Sequence, residues 1–238
     1  MKSSNERCYV CGTNTCGLEY TNPTPTKEEL KSFYSVYGDI RANPNIVKLN
    51  AEEHFKTLSK YGLTDTSKTL DFGTGPGTFV DVAGECCFGV DLKHSGHPRI
   101  KEYIEDFKDI SSWDFITLWG VIEHLPDPMT VMQKLVSQLR RGGAIALTTV
   151  DAESVIPYYY KPPEHLSYWT RTAFEILADI CGLEIIDYRP YKMFQIGEIY
   201  FDRLLSRTPD EYIEMIINKL PEIVKVPTNE VFVVMQKK

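Results

Sequence analysis

Apolar positions along this chain fall into short dense runs separated by amphipathic stretches, and the alternation repeats. Residues 70–72, 88–90, 113–119, 144–150, 183–188 and 231–235 are runs of strand length, rich in β-branched and aromatic side chains. Between them, residues 46–61, 128–140 and 170–180 carry apolar positions at helical spacing, the last stretch closed by Gly182. Strand and helix in alternation imply a parallel sheet covered on both faces, an α/β fold. Ahead of the first run, Thr26 with Glu29 three positions later has capping-box spacing. The helix it opens carries Leu30, Phe33, Tyr34 and Tyr37 on one side, a face that either packs on the domain or closes over a ligand.

The remaining segments are less periodic. A polar loop at 93–99 and a short strand at 103–105 are expected before the third run. Residues 151–169 are long, aromatic and proline-bearing, with Tyr158, Tyr159 and Tyr160 in succession, and loops of this length in compact domains tend to be functional. Residues 191–227 are expected to form a mostly helical insertion, with helices at 199–205 and 209–220. Its Leu204, Leu205, Ile213, Ile216 and Ile217 would pack on the sheet or on a second subunit of a homo-oligomer.

The candidate chemistry begins where the first strand ends. Asp71 is followed by Gly73, Gly75 and Gly77, a turn whose backbone can approach a ligand closely, and a second strand ends in Asp91. An acid in that place suits a carboxylate accepting from the two hydroxyls of a ribose. The dinucleotide fingerprint wants its third glycine at the position held here by Thr78, which counts against a nicotinamide enzyme. The acid-x-Gly-x-Gly-x-Gly spacing, the later acid and the run DFITLWGVIEHLPDP together resemble the class I S-adenosylmethionine-dependent methyltransferases from about residue 43 onward. The resemblance implies a Rossmann-like, seven-stranded, mostly parallel sheet with helices on both faces and an antiparallel last strand. It also implies S-adenosylmethionine bound at the carboxyl ends of the first strands. The contacts it implies are Asp71, Gly73, Thr74, Gly75 and Gly77 in the loop, and Asp91 and Leu92 after the second strand. Asp106 and Phe107 would meet the adenine, Trp119 and Gly120 the methionine part, and Tyr37 would come from the lid helix. Family members often carry an acid where this chain has Gly120, so a contact there would have to come from backbone. Read from the residues alone, Asp106 is equally a solvated acid near a helix cap at Asp109.

At 238 residues the chain holds one large α/β domain with room for a small appendage. A net charge of −7 and a pI near 5.3 disfavour broad nucleic-acid binding. The N-terminal residues lack the apolar core of a leader, and no run is long enough to span a membrane, so a cytoplasmic location is expected. In that setting the six cysteines are thiols or metal ligands rather than disulfides. Cys8, Cys11 and Cys16 offer three thiolates where structural zinc needs four donors. The segment CGLEYTNPTPTKEEL resembles the zinc ribbon and linker of some sugar-modifying methyltransferases, although Thr13 replaces one member of the second cysteine pair. Zinc would need His54 or a second chain for its fourth ligand; the alternative is a shortened knuckle holding nothing. We place this segment at 1–25 and the methyltransferase domain at 26–238.

The activity expected is methyl transfer to a hydroxyl or amine of a small polar acceptor, sugar-like on the N-terminal resemblance. A quinone or other aromatic hydroxyl is the runner-up, and a non-catalytic binding protein the competing class. Proton removal needs a base, and imidazole suits it at neutral pH. His94 and His97 follow the ribose strand and His54 precedes the first strand, so these three are expected to face away. His165 ends the tyrosine loop and is the expected base, with His124 second and Asp151 as the orienting acid; the alternative for either histidine is a role that only fixes its loop.

Overall fold

The computed structural model describes residues 8–10, 16–36, 43–92, 96–107, 112–156, 161–198 and 221–238. Tyr37, Cys11, His94, Asp109, Tyr158 to Tyr160 and the expected helices at 199–205 and 209–220 lie outside them, as do the side chains of Cys8 and Tyr34.

In chain order the strands are β1 (Cys8–Val10), β2 (Glu19–Thr21), β3 (Thr69–Phe72), β4 (Cys87–Val90), β5 (Ile100–Lys101), β6 (Trp113–Trp119), β7 (Leu139–Val150), β8 (Ser167–Tyr168), β9 (Leu183–Ile196) and β10 (Ile223–Lys237). The α-helices are α1 (Lys27–Val36), α2 (Pro44–Leu58), α3 (Thr78–Val82), α4 (Pro128–Gln138) and α5 (Arg171–Cys181). Local chemistry explains where they begin. Thr26 and Glu29 exchange capping bonds of 2.7 and 3.2 Å at the start of α1. The side chains of Asn43, Asp127 and Thr170 accept from amides in the first turns of α2, α4 and α5. Gly182, in the left-handed conformation, closes α5.

Seven strands form the main sheet in the order β5-β4-β3-β6-β7-β10-β9, with β10 alone running against its neighbours. Side chains alternate between its faces. Leu70, Ile116, Leu118, Ile145, Leu147, Val231 and Val233 pack with Met132 and Leu135 of α4 and Phe174 and Leu177 of α5. Phe115, Ala144, Ala146, Phe232 and Val234 face Ala51 and Leu58 of α2 and Phe79 and Val80 of α3. The chain moves outward from β3 to β4 and β5, then returns to lay β6 on the other side of β3. Loops diverge at that point, and open α/β sheets bind ligands in the crevice it leaves at the carboxyl ends of the strands. Among the described residues no helix is long and apolar enough to cross a membrane.

Two expectations are corrected. The short strand falls at Ile100–Lys101, where buried Ile100 pairs with Gly89, and 103–105 gives way to a 3-10 turn, Ile104–Asp106. The insertion is also less helical than expected at its ends. Tyr191 to Ile196 and Ile223 to Pro227 continue β9 and β10 as a paired arm, with Lys192 opposite Pro227. Asn50 of α2 binds both main-chain groups of Phe194 on that arm, at 2.7 and 3.1 Å.

A second sheet, β1-β2-β8, joins the N-terminal segment to the residues just after His165.

Candidate functional site: a glycine loop and a histidine pair at the sheet's carboxyl edge

The loop after β3 is shaped by what lies beneath it. Gly73 has φ +76°, and a Cβ there would meet Val121 at 2.6 Å, so only glycine fits. At Gly75, with φ +55°, an added Cβ would enter open space, the side from which a ligand could approach. The Gly75 amide donates to Asp91 Oδ2 at 2.7 Å, so the ribose-type acid also pins the loop. Beneath it Asp71 is buried and accepts from the Thr117 hydroxyl at 2.7 Å. Burial pushes its carboxyl up to about 7, although the hydrogen bond from Thr117 opposes the shift. Asp71 is therefore a support for the loop rather than a ligand-facing charge.

Around this loop the other expected cofactor contacts take distinct places. Leu92, directly after Asp91, is 78% exposed, an apolar side chain open to a flat ring. Asp106 is exposed at the end of its 3-10 turn, and Phe107 packs edge-on against Phe88 and Trp113. Trp119 stacks on the His54 ring at 3.8 Å, and His54 bonds the Tyr191 hydroxyl at 2.5 Å. His54 is thus engaged within the main domain through Nε2. His97 bonds Asp81 of α3 at 3.0 Å. The Gly120 amide donates to the Thr148 carbonyl at 3.1 Å and hydroxyl at 3.2 Å, so of its backbone groups the carbonyl is the one left for the methionine part.

Beyond Gly120 the chain builds a polar cluster. A 3-10 turn, Ile122–His124, buries Glu123, which accepts from the Thr149 hydroxyl at 2.8 Å. Burial raises the carboxyl of Glu123 to about 7, and does the same for Glu230 at the start of the last strand run. His124 Nδ1 lies 2.7 Å from the Glu164 carbonyl, which can only accept, so Nδ1 carries the proton and Nε2 the lone pair. The His165 ring stands edge-on to it, with centroids 4.9 Å apart. Burial lowers both imidazoles, His165 to about 4, with His124 next among the causes for His165. His165 Nδ1 is buried without a hydrogen-bond partner.

Sequence reasoning treated the two histidines as rivals; the fold makes them neighbours. The expected orienting acid has another partner. Asp151 binds the Glu153 amide at 2.9 Å, whereas the carboxylate facing His165 is Glu164, 3.8 Å from Nε2. Glu123 was missed; only the structure shows it beside Gly120, where an added Cβ would first meet Glu123 Oε1 at 3.7 Å. Glu123, His124 and His165 place one donor atom each within 4.8 Å of one another, a set that could also hold a cation.

A reversed-order parallel sheet with a glycine loop, a ribose-type acid and a polar acceptor edge defines a class I, S-adenosylmethionine-dependent methyltransferase. The chain belongs to the methyltransferase domain family, whose profile matches residues 47–188. It is 31% identical over 188 residues to a ubiquinone biosynthesis O-methyltransferase of Xanthomonas campestris pv. campestris, covering 62% of this chain and 74% of that protein. Its fold matches the Burkholderia thailandensis 1,6-didemethyltoxoflavin-N1-methyltransferase, solved with 1,6-didemethyltoxoflavin and S-adenosylhomocysteine. That match has a TM-score of 0.58 at 14% identity and covers 97% of this chain and 98% of that one. A SAM-dependent methyltransferase from Archaeoglobus fulgidus gives 0.57 at 18% identity, over 86% and 99%. The nicotinamide alternative falls with the family membership.

Proposed function

We propose that the protein transfers a methyl group from S-adenosylmethionine to a hydroxyl of a small acceptor, and that the hydroxyl belongs to an aromatic or quinone-type ring. The reading rests on one observation above the rest: two neutral imidazoles edge-on to one another at the carboxyl edge of the sheet, His124 half-buried and His165 buried with an unpartnered Nδ1. The cofactor would lie over the glycine loop with its ribose on Asp91 and its adenine beside Leu92 and Asp106. Its sulfonium carbon is already electrophilic, so the chain's own tasks are alignment and proton removal.

The depressed basicity of His165 bears on the acceptor. An imidazole near 4 is unprotonated at neutral pH but a weak base, and the barrier grows with the gap to the acceptor's own pKa. A ring hydroxyl near 10, like that of tyrosine, leaves a far smaller gap than an aliphatic alcohol. The relatives named for ubiquinone biosynthesis support the same choice. The aromatic hydroxyl therefore takes precedence over the sugar expected from the N-terminal resemblance.

Purified protein with S-adenosylmethionine should methylate 3,4-dihydroxybenzoate, seen by mass spectrometry, and leave uridine diphosphate glucose unchanged. His165→Gln should lower turnover by about 10²-fold or more while S-adenosylhomocysteine affinity holds. Methylation of the sugar nucleotide alone would overturn the acceptor class, and near-wild-type turnover in His165→Gln would remove the base.

A further inference from the structure

We infer that Thr21, from the N-terminal segment, is a positioning residue for His165, so that this segment forms part of the acceptor site. The inference rests on the proposed role of His165 but is tested separately from it.

Thr21 is fully buried at the end of β2. Its amide donates to the Leu166 carbonyl and its hydroxyl to the His165 carbonyl, each at 2.9 Å. From the other side, the Leu166 amide donates to the Glu123 carbonyl at 2.7 Å. The peptide groups following His165 are thus held between two separate segments: the N-terminal strand on one side and the turn carrying Glu123 and His124 on the other. Next along the chain, Glu19 and Tyr20 pair with Tyr168 and Ser167 of β8. Closer still to the N-terminus, a Cβ on Gly17 would sit 2.4 Å from the Thr170 hydroxyl oxygen, so the segment lies against residues 165 to 170 throughout.

A main-chain clamp of this kind matters because a side chain's aim follows its Cα. His165 bonds no other side chain through Nδ1, and its Nε2 is 3.8 Å from Glu164, so its ring is not fixed by tight bonds of its own. Its direction toward His124 depends on where the strap from Lys161 to Tyr168 is held. Misplacement of a reacting group by about 1 Å can cost about 10²-fold in rate. Thr21 lies outside the residues matched by the family profile, which begin at 47, so the clamp comes from a segment beyond the matched part of the domain.

The test uses Thr21→Val, which keeps shape and removes the donor, and Thr21→Ser, which restores it. Protein labelled with ¹³C-histidine and saturated with S-adenosylhomocysteine should give one sharp ring resonance for His165, assigned through His165→Gln. In Thr21→Val that resonance should shift or split, kcat on 3,4-dihydroxybenzoate should fall about 10- to 100-fold with KM changed less than threefold, and S-adenosylhomocysteine affinity should hold. Thr21→Ser should recover both signals. An unshifted His165 resonance in Thr21→Val overturns the inference, as does a loss of cofactor affinity that matches the loss of turnover or a Thr21→Ser variant that recovers neither. Full turnover in His165→Gln would instead sink the base assignment, and the resonance would still report on the clamp.

Discussion

Asp91→Ala is the most direct probe of the cofactor half of the site. One carboxylate oxygen of Asp91 accepts from the Gly75 amide at 2.7 Å, so the substitution removes a ribose acceptor and unpins the glycine loop together. Hydrogen bonds to a charged carboxylate contribute about 1.5 to 3 kcal/mol each, and two ribose hydroxyls would make about 3 to 6 kcal/mol. Asp91 is only partly buried, so water replaces part of that loss and the net effect should be about 2 to 4 kcal/mol. That corresponds to roughly 30- to 1,000-fold weaker binding. Asp91→Asn keeps an acceptor for Gly75 but loses the charge, and about a tenfold loss is expected. Calorimetry with S-adenosylhomocysteine measures both, with denaturant unfolding to confirm that each variant is folded. A folded Asp91→Ala protein binding within threefold of wild type would refute the assignment, because the ribose would then have to be held elsewhere.

Other outcomes follow from neighbouring residues. Asp71 holds its proton up to about pH 7 when folded but to about 3.9 when unfolded, so its contribution to stability falls as pH rises from about 4 to 7 and stays low above that. Asp71→Asn removes this loss, and its thermal midpoint relative to wild type should be higher at pH 8 than at pH 5; a constant difference would refute the buried proton. Gly73→Ala combines positive-φ strain with a 2.6 Å contact to Val121 and should cost about 2 to 5 kcal/mol in denaturant unfolding. Adding Val121→Ala should recover the steric part only, and full recovery would show that backbone strain is absent. Thr149→Val leaves Glu123 without its hydroxyl donor and should lower turnover on 3,4-dihydroxybenzoate more than S-adenosylhomocysteine affinity, which parallel kinetics and calorimetry would separate.

The parts of the fold that the sequence made legible are those set by local pattern. The runs at 70–72, 113–119 and 144–150 are buried on both faces of a parallel sheet, so they stand out as continuous apolar stretches. The glycine loop and Asp91 were legible for the same reason: their geometry depends on spacing over about twenty residues. β5 was misplaced because it is two residues long and only Ile100 is buried, among His97, Pro98, Arg99 and Lys101. The β9–β10 arm was hidden by Pro227, which argues against a strand unless a bulge takes it up. Here the register shifts between Pro227 and Val231.

The acceptor half was harder to read because no single stretch contains it. Thr21 and His165 are 144 positions apart, and Glu123 meets Thr149 from a different loop. Weighing the histidines one at a time therefore set His124 and His165 against each other. Their geometry makes that a false choice. His124 keeps Nδ1–H on the Glu164 carbonyl, while His165 holds a buried Nδ1 without a hydrogen-bond partner, and a proton on His124 disfavours one on His165. The rings are close enough for a proton on His124 to lower the basicity of His165, beyond what burial does. The fold's contribution is to bring β6's end, the strap after Lys161 and the N-terminal strand together so that the pair exists.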